Sequence, residues 1–210
     1  MTFFNKMTIG TKVLLSSGLG ILLVLCLVGT SFFMLQSVQQ SVVQADRQSS
    51  IALLITGSKE SLQTMRIASR DIRLATTAER ATDREAAVEE EFALFEGLIG
   101  QASALMGNPV NVERTNTLLA QAAAYRDQIR TITALVVAEI GSGVPAGVIT
   151  LERQAATDLL DEIATGAAAT GNEAVDVATT TASEMRLNAD RLINQVVLIS
   201  IGFGVLVSAV

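Results

Sequence analysis

The feature that most constrains this chain is a stretch without any charged residue between Lys12 and Asp46. Within it, Val13 to Leu35 is a nearly continuous apolar run of 23 residues, and about 20 apolar residues in a helix are enough to cross a bilayer core. A cleaved signal peptide has a shorter apolar region and a cleavage site of small residues. This run ends in bulky residues at 32–35, so the sequence predicts an uncleaved transmembrane helix over 13–35.

The other end of the chain is also free of charge. No charged residue follows Arg191, and residues 192–210 are mainly apolar. They predict a second transmembrane helix, with the chain ending within it or at its edge as part of a longer protein. Lys6 and Lys12 precede the first span without a balancing acid, which places residues 1–12 in the cytoplasm. Residues 36–191 are then expected on the outer side of the membrane.

Composition excludes several classes of function. The chain has no His and no Trp, and its single Cys is Cys26. Catalysis by histidine, His-containing metal sites and a disulfide framework are therefore excluded. The formal net charge of −6 argues against nucleic-acid binding, which needs a basic surface. With no phosphate-binding loop either, we expect a protein that is not an enzyme and needs no cofactor or metal.

Breaks in the outer segment divide it into helices. Both prolines of the chain lie in glycine-containing interruptions at 107–109 and 141–147, where helices end. A third break is expected near 76–83, with Thr82 or Asp83 as the cap of the next helix. The expected helices are roughly 36–77, 84–106, 110–140 and 148–191, with a possible interruption of the last one near Gly171.

Apolar residues recur at helical spacing in the first three of these helices. The expected core positions are Val38, Val42, Ala45, Ala52, Ile55, Leu62, Met65 and Ile72, then Phe92, Phe95, Ile99, Ala102 and Leu105, then Leu118, Ala122, Tyr125, Ile129, Ile132 and Val136. The segment 164–183 consists mostly of small residues and acids, and it is the least typical helix. The predicted fold is all-α: an antiparallel up-down four-helix bundle, flanked by two transmembrane helices.

The layout resembles the sensory half of a methyl-accepting chemotaxis protein with a four-helix-bundle ligand-binding domain. Residues 5–12, NKMTIGTK, are similar to the lead-in of these bacterial receptors, and residues 65–73, MRIASRDIR, resemble the arginine-bearing part of their first outer helix. The resemblance implies a multi-pass protein of the inner membrane with a periplasmic sensor domain. It implies homodimers that bind an amino acid or organic acid, directly or through a ligand-loaded binding protein, and that signal to a cytoplasmic kinase complex.

Arg66, Arg70 and Arg73 are the candidate ligand-binding residues. Their spacing of 4 and 3 places them within about 60° on one helix face, and Lys59 and Arg80 continue the pattern at seven-residue intervals. All 21 acids and 13 of the 15 bases lie between 36 and 191, so this basic stripe stands in a segment of net charge −8. Guanidinium groups bind carboxylates through paired donors.

The sequence leaves other interpretations open. In an antiparallel bundle, Arg66 lies level with Asp161 and Arg70 with Asp158, so ion pairs between helices would also explain two of the arginines. Arg73 has no acid at its level, and the Thr150 hydroxyl nearby is a further candidate donor to a ligand. The same outer module occurs in membrane histidine kinases and cyclases. A structural membrane bundle without a ligand is the third alternative.

Overall fold

The computed structural model describes residues 8–145 and 148–208, without the side chains of Lys12, Ser16 and 203–208. Over these residues the secondary structure is all helical, as the sequence predicts, and no strand is present. The helices are α1 (Ile9–Arg73), α2 (Ala78–Leu105), α3 (Pro109–Gly141) and α4 (Leu151–Ser208). The chain divides into two compact units, one of residues 1–46 with 182–210 and one of residues 47–181.

The first unit contains the apolar part of α1. Its most apolar 18-residue window has a mean hydropathy of 2.4, and none of that window is buried. Length and composition therefore allow α1 to cross a membrane. Among the residues that the structure describes, α1 is the one helix that meets this test. The predicted second span covers residues 192–210, and the structure does not describe the side chains from 203 onward. That span therefore remains a prediction.

The second unit has one hydrophobic core, to which all four helices contribute. Its fully buried large side chains include Ile55, Met65, Phe95, Leu118 and Ile129. The core positions predicted for α3 are all buried, and those predicted for α2 are buried except Leu105, which is half-buried. Val42, in the first unit, is 43% exposed, so its predicted core position is wrong. The second unit is thus a helical bundle.

Helix α2 begins earlier than predicted. The break between α1 and α2 spans residues 74–77, and Thr77 is the N-cap, with its hydroxyl accepting a bond from the Arg80 amide. Thr82, predicted as a cap, lies inside the helix and donates its hydroxyl to the Ala78 carbonyl. Ala81 is fully buried, and its packing holds the first turn in the helix. The predicted start at 84 is therefore wrong by about two turns.

The ends of α3 follow from residues with well-defined local preferences. Asn108 caps its start through a bond from the Val110 amide, and Pro109 occupies the first helical position. At the other end, the Val144 amide bonds to the Glu139 carbonyl and the Gly143 amide to the Ile140 carbonyl. This is the Schellman motif, which needs a left-handed residue after the cap, and Gly143 has φ of 74°.

Helix α4 is continuous through Gly166 and Gly171, so the possible interruption near Gly171 is absent. Gly171 is buried, and a Cβ placed there would lie 3.3 Å from Cγ of Lys59. The missing side chain thus gives the Lys59 stem room to approach α4. The buried positions of α4 between 164 and 178 form an alanine seam: Ala164, Ala167, Gly171, Ala174 and Ala178.

Candidate functional site

The three predicted arginines lie in the last two turns of α1. Arg66 and Arg70 are exposed, and Arg73, the final residue of the helix, is half-buried. Over the described part of the chain, none of the three forms an ion pair. The carboxylate of Asp158 instead accepts a bond from the Gln154 side chain at 2.8 Å. The pairs that the sequence suggested with Asp158 and Asp161 are therefore not formed.

Other arginines of the same unit have partners. Arg84 pairs with Asp71, Arg114 with Glu173, Arg126 with Asp127, Arg130 with Glu89 and Arg153 with Glu139. The hydrogen bond from Arg130 to Glu89 raises the pKa of that guanidinium. Arg47 donates to the Leu105 carbonyl. Over the described residues of this unit, the cations with neither an ion pair nor a hydrogen-bond partner are thus Arg66, Arg70, Arg73 and the exposed Arg80, near the α1–α2 junction.

The two residues expected to extend the stripe do not join the three arginines. Lys59 donates its ammonium to Oδ1 of Asn172, at 2.5 Å, and so links α1 to α4. Arg80 belongs to α2, because α1 ends at Arg73 and the chain turns over residues 74–77. The basic stripe on α1 is therefore shorter than the seven-residue pattern suggested.

Tyr125 of α3 lies close to two of the arginines. Burial raises the pKa of its hydroxyl, while Ser69 and the positive charges of Arg66 and Arg73 oppose that rise and Asp161 adds to it. The Ser69 hydroxyl is close enough to affect this pKa, but the geometry falls short of a well-formed hydrogen bond. Arg66 and Arg73 therefore share one polar environment on the α3 side of α1, whereas Arg70 has no resolved influence on Tyr125.

Arg73 also lines a cavity of about 380 Å³ at the end of the second unit. The cavity is bounded by the residues that follow α1, by the end of α3 and by the start of α4. Its polar side chains are Arg73, Thr76, Glu139 and Arg153. Nε of Arg73 is buried and, over the described residues, has no hydrogen-bond partner.

A buried ion pair forms one side of this cavity. Nη1 of Arg153 lies 2.8 Å from Oε2 of Glu139, and each side chain is only 10% exposed. Nη2 of Arg153 donates to the Val148 carbonyl at 2.9 Å. Thr150 donates its hydroxyl to the other oxygen of Glu139 and accepts a bond from the Arg153 amide. These groups satisfy one another's hydrogen-bonding capacity. The sequence suggested the Thr150 hydroxyl as a donor to a ligand, but that hydroxyl already donates to Glu139.

Sequence reasoning missed Glu139, Arg153 and the polar setting of Tyr125. Glu139 carried a signal, because it follows the apolar run 135–138 and lies near a predicted helix end. Charged groups in such positions are rarely buried without a partner. The identity of that partner depends on the turn after α3, which the sequence did not specify.

No group of acidic or sulfur-containing side chains over the described residues has the arrangement of a metal site. Comparisons of the chain with protein-family models, with curated proteins and with solved structures return no significant match. The arginine cluster and the adjoining cavity are therefore interpreted from their own geometry.

Proposed function

We propose that the chain is the sensor region of a transmembrane receptor that binds a small anionic ligand outside the cell. The observation that carries this proposal is the contrast among its arginines. Over the described residues, Arg66, Arg70 and Arg73 have no carboxylate partner in an acidic segment, and neither has Arg80, whereas five arginines of the same unit have one. Charged hydrogen bonds to a ligand carboxylate would give the three arginines the partners that the chain does not provide.

Contacts between consecutive helices support an antiparallel up-down bundle for the sensor. For α1 with α2 and for α3 with α4, a contact between a late residue of one helix and an early residue of the next is accompanied by a second contact with the positions reversed. For α2 with α3, one contact joins the first half of α2 to the second half of α3. The contacts are Arg47–Leu105 and Asp71–Arg84 for α1 and α2, Glu89–Arg130 for α2 and α3, and Arg114–Glu173 and Glu139–Arg153 for α3 and α4.

Exposed apolar side chains on α1 support a homodimer. Leu53 and Ile67 are exposed and fourteen residues apart, so they lie on one side of the helix, with exposed Glu60 midway between them. A second copy of the chain would cover Leu53 and Ile67. In a Cys26→Ala background, Ile67→Cys should crosslink to its own copy in membranes, whereas cysteine at exposed Leu94 of α2 should not.

The remaining parts of the proposal rest on the resemblance to chemotaxis receptors. α1 would anchor the sensor in the inner membrane, and residues 192–210 would return the chain to the cytoplasm. Ligand binding would displace α4 and thereby signal to a cytoplasmic kinase complex. A membrane histidine kinase or a cyclase would use the same sensor with a different output. A bundle that serves only a structural role is the alternative without a ligand.

The binding proposal is tested on the whole chain in lipid nanodiscs, with a panel of amino acids and organic acids. A ligand at 100 times its Kd should stabilise the fold by about 2.7 kcal/mol. Combined replacement of Arg66, Arg70 and Arg73 by Ala should abolish that stabilisation. Arg84→Ala, which removes an arginine already paired with Asp71, is the matched control and should retain it. Binding that survives the triple replacement would refute the proposed site.

The membrane topology is tested separately. With Cys26 replaced by Ala, single cysteines are introduced at Lys6 and Arg80 and exposed to a thiol reagent that cannot cross the membrane. Only the cysteine at position 80 should react from outside intact cells. Labelling of position 6 alone would show that the orientation is the reverse of the proposed one.

A further inference from the structure

We infer that the cavity beside Arg73 binds an organic monocarboxylate with an apolar body, within a single copy of the chain. This inference rests on the proposed function, narrows its site from the three arginines to Arg73, and assigns the ligand class and its location. The cavity is formed within one chain by the ends of α1 and α3, by residues of the connections that follow these two helices, and by Arg153 near the start of α4. Its volume of about 380 Å³ is in the range of small-molecule sites.

The charges around the cavity favour one negative group. Glu139 neutralises Arg153, whose two terminal nitrogens are engaged by that carboxylate and by the Val148 carbonyl. Arg73 is then the unbalanced charge of the lining, and over the described residues its guanidinium has no carboxylate or hydrogen-bond partner. Its Nε is closed off from solvent, so a carboxylate in the cavity would bind the remainder of the guanidinium through a charged hydrogen bond.

Apart from Thr76, the rest of the lining is apolar. Leu74, Ile140, Val144, Pro145, Val148 and Ile149 line the cavity. These side chains offer no hydrogen bonds, so they favour an aliphatic or aromatic body on the ligand. A second carboxylate placed among them would lack a partner and would therefore be disfavoured.

An ammonium group is disfavoured for a similar reason. Among the described residues, Glu139 is the one carboxylate that lines the cavity, and each of its oxygens already has a partner, Arg153 or Thr150. The ammonium of an α-amino acid would therefore have to compete with Arg153 and Thr150 for these oxygens. Arg66 and Arg70 do not line the cavity, so they are not expected to contact this ligand.

The test measures binding of 4-methylpentanoate to the full chain in zwitterionic nanodiscs by equilibrium dialysis. We expect saturable binding, weaker by about tenfold or more for three matched comparators. Leucine adds an ammonium group, hexanedioate adds a second carboxylate, and 4-methylpentanamide removes the charge. Equal binding of leucine or hexanedioate would overturn the assignment, as would the absence of saturable binding by 4-methylpentanoate.

Variants locate the bound probe. Arg73→Gln should weaken binding of 4-methylpentanoate by about 10- to 150-fold, the range for a hydrogen bond to a charged group. Ile149 lines the cavity but is 57% exposed, so Ile149→Phe should fill part of the cavity without disturbing the core. Leu151 is exposed and does not line the cavity, so Leu151→Phe should leave binding unchanged. Circular dichroism checks that each variant is folded. Unaltered binding in both Arg73→Gln and Ile149→Phe would place the probe elsewhere.

The residues on which binding depends separate this inference from the proposed function. If an anion of the panel binds and depends on Arg66 and Arg70 but not on Ile149, the cavity assignment fails while the sensor proposal stands. If no anion in the panel binds, both fail.

Discussion

The arginines on α3 and early α4 differ from those at the end of α1. Arg114, Arg130 and Arg153 are matched by acids on neighbouring helices. Within the part of the chain that the structure describes, Arg66, Arg70 and Arg73 are not matched by an acid, although Asp158 and Asp161 lie on α4 of the same unit. The first group contributes to contacts between helices. The second leaves positive charge available to a molecule outside the chain, so pairing distinguishes the structural arginines from the candidate binding ones.

The largest effect is expected at the buried pair of Glu139 and Arg153. Glu139→Ala should lower the free energy of unfolding by about 3–5 kcal/mol, because it leaves a buried guanidinium without its counter-ion. The measurement is chemical denaturation followed by circular dichroism. Replacing both residues with Leu should restore much of the loss, since no charge is then buried. A single variant as stable as the parent would mean that the pair is not buried in solution.

The next effect concerns Tyr125, the only tyrosine in a chain without tryptophan. Arg73→Gln should raise its pKa further, because the positive charge of Arg73 lowers it in the parent. Absorbance of the phenolate reports this pKa directly. Arg80→Gln is the control and should cause no shift. An unchanged pKa in Arg73→Gln would mean that the guanidinium lies away from Tyr125.

The same raised pKa predicts a dependence of stability on pH. Because burial keeps Tyr125 protonated in the folded state, its contribution is complete below the unfolded value of 10.0. It is lost as pH rises above that value and through the folded pKa. Tyr125→Phe should make the unfolding free energy less dependent on pH in this range. An identical alkaline profile in the variant would exclude Tyr125 as the cause.

Smaller effects are expected where charges are exposed. Glu173→Ala breaks a pair whose acid is largely exposed, and it should cost about 0–1 kcal/mol. Arg66→Ala and Arg70→Ala should change stability by no more than about 0.5 kcal/mol, as at ordinary surface positions. Thermal unfolding of the three variants makes the comparison. A clear loss of stability in Arg66→Ala or Arg70→Ala would show that these residues contribute to contacts between helices, as the paired arginines do.

Helical periodicity predicted the helices, because large residues such as Phe95 and Ile129 recur on one face. It could not locate the start of α2, where Thr77 and Thr82 have similar capping ability and the burial of Ala81 decides between them. Spacing placed the three arginines on one side of α1. The Glu139–Arg153 pair depends on the turn at Gly143, which brings the end of α3 beside the start of α4.

The alanine seam of α4 has a mechanical consequence. Where large side chains interlock, one helix can slide along another only if those side chains leave their holes and change rotamer. The seam between Ala164 and Ala178 presents methyl groups and one bare glycine backbone, and neither has a rotamer to change. The alanine positions are therefore expected to offer little resistance to a short displacement along the axis. The resistance of this segment is concentrated instead where the Lys59 stem packs at Gly171 and its ammonium bonds to Asn172.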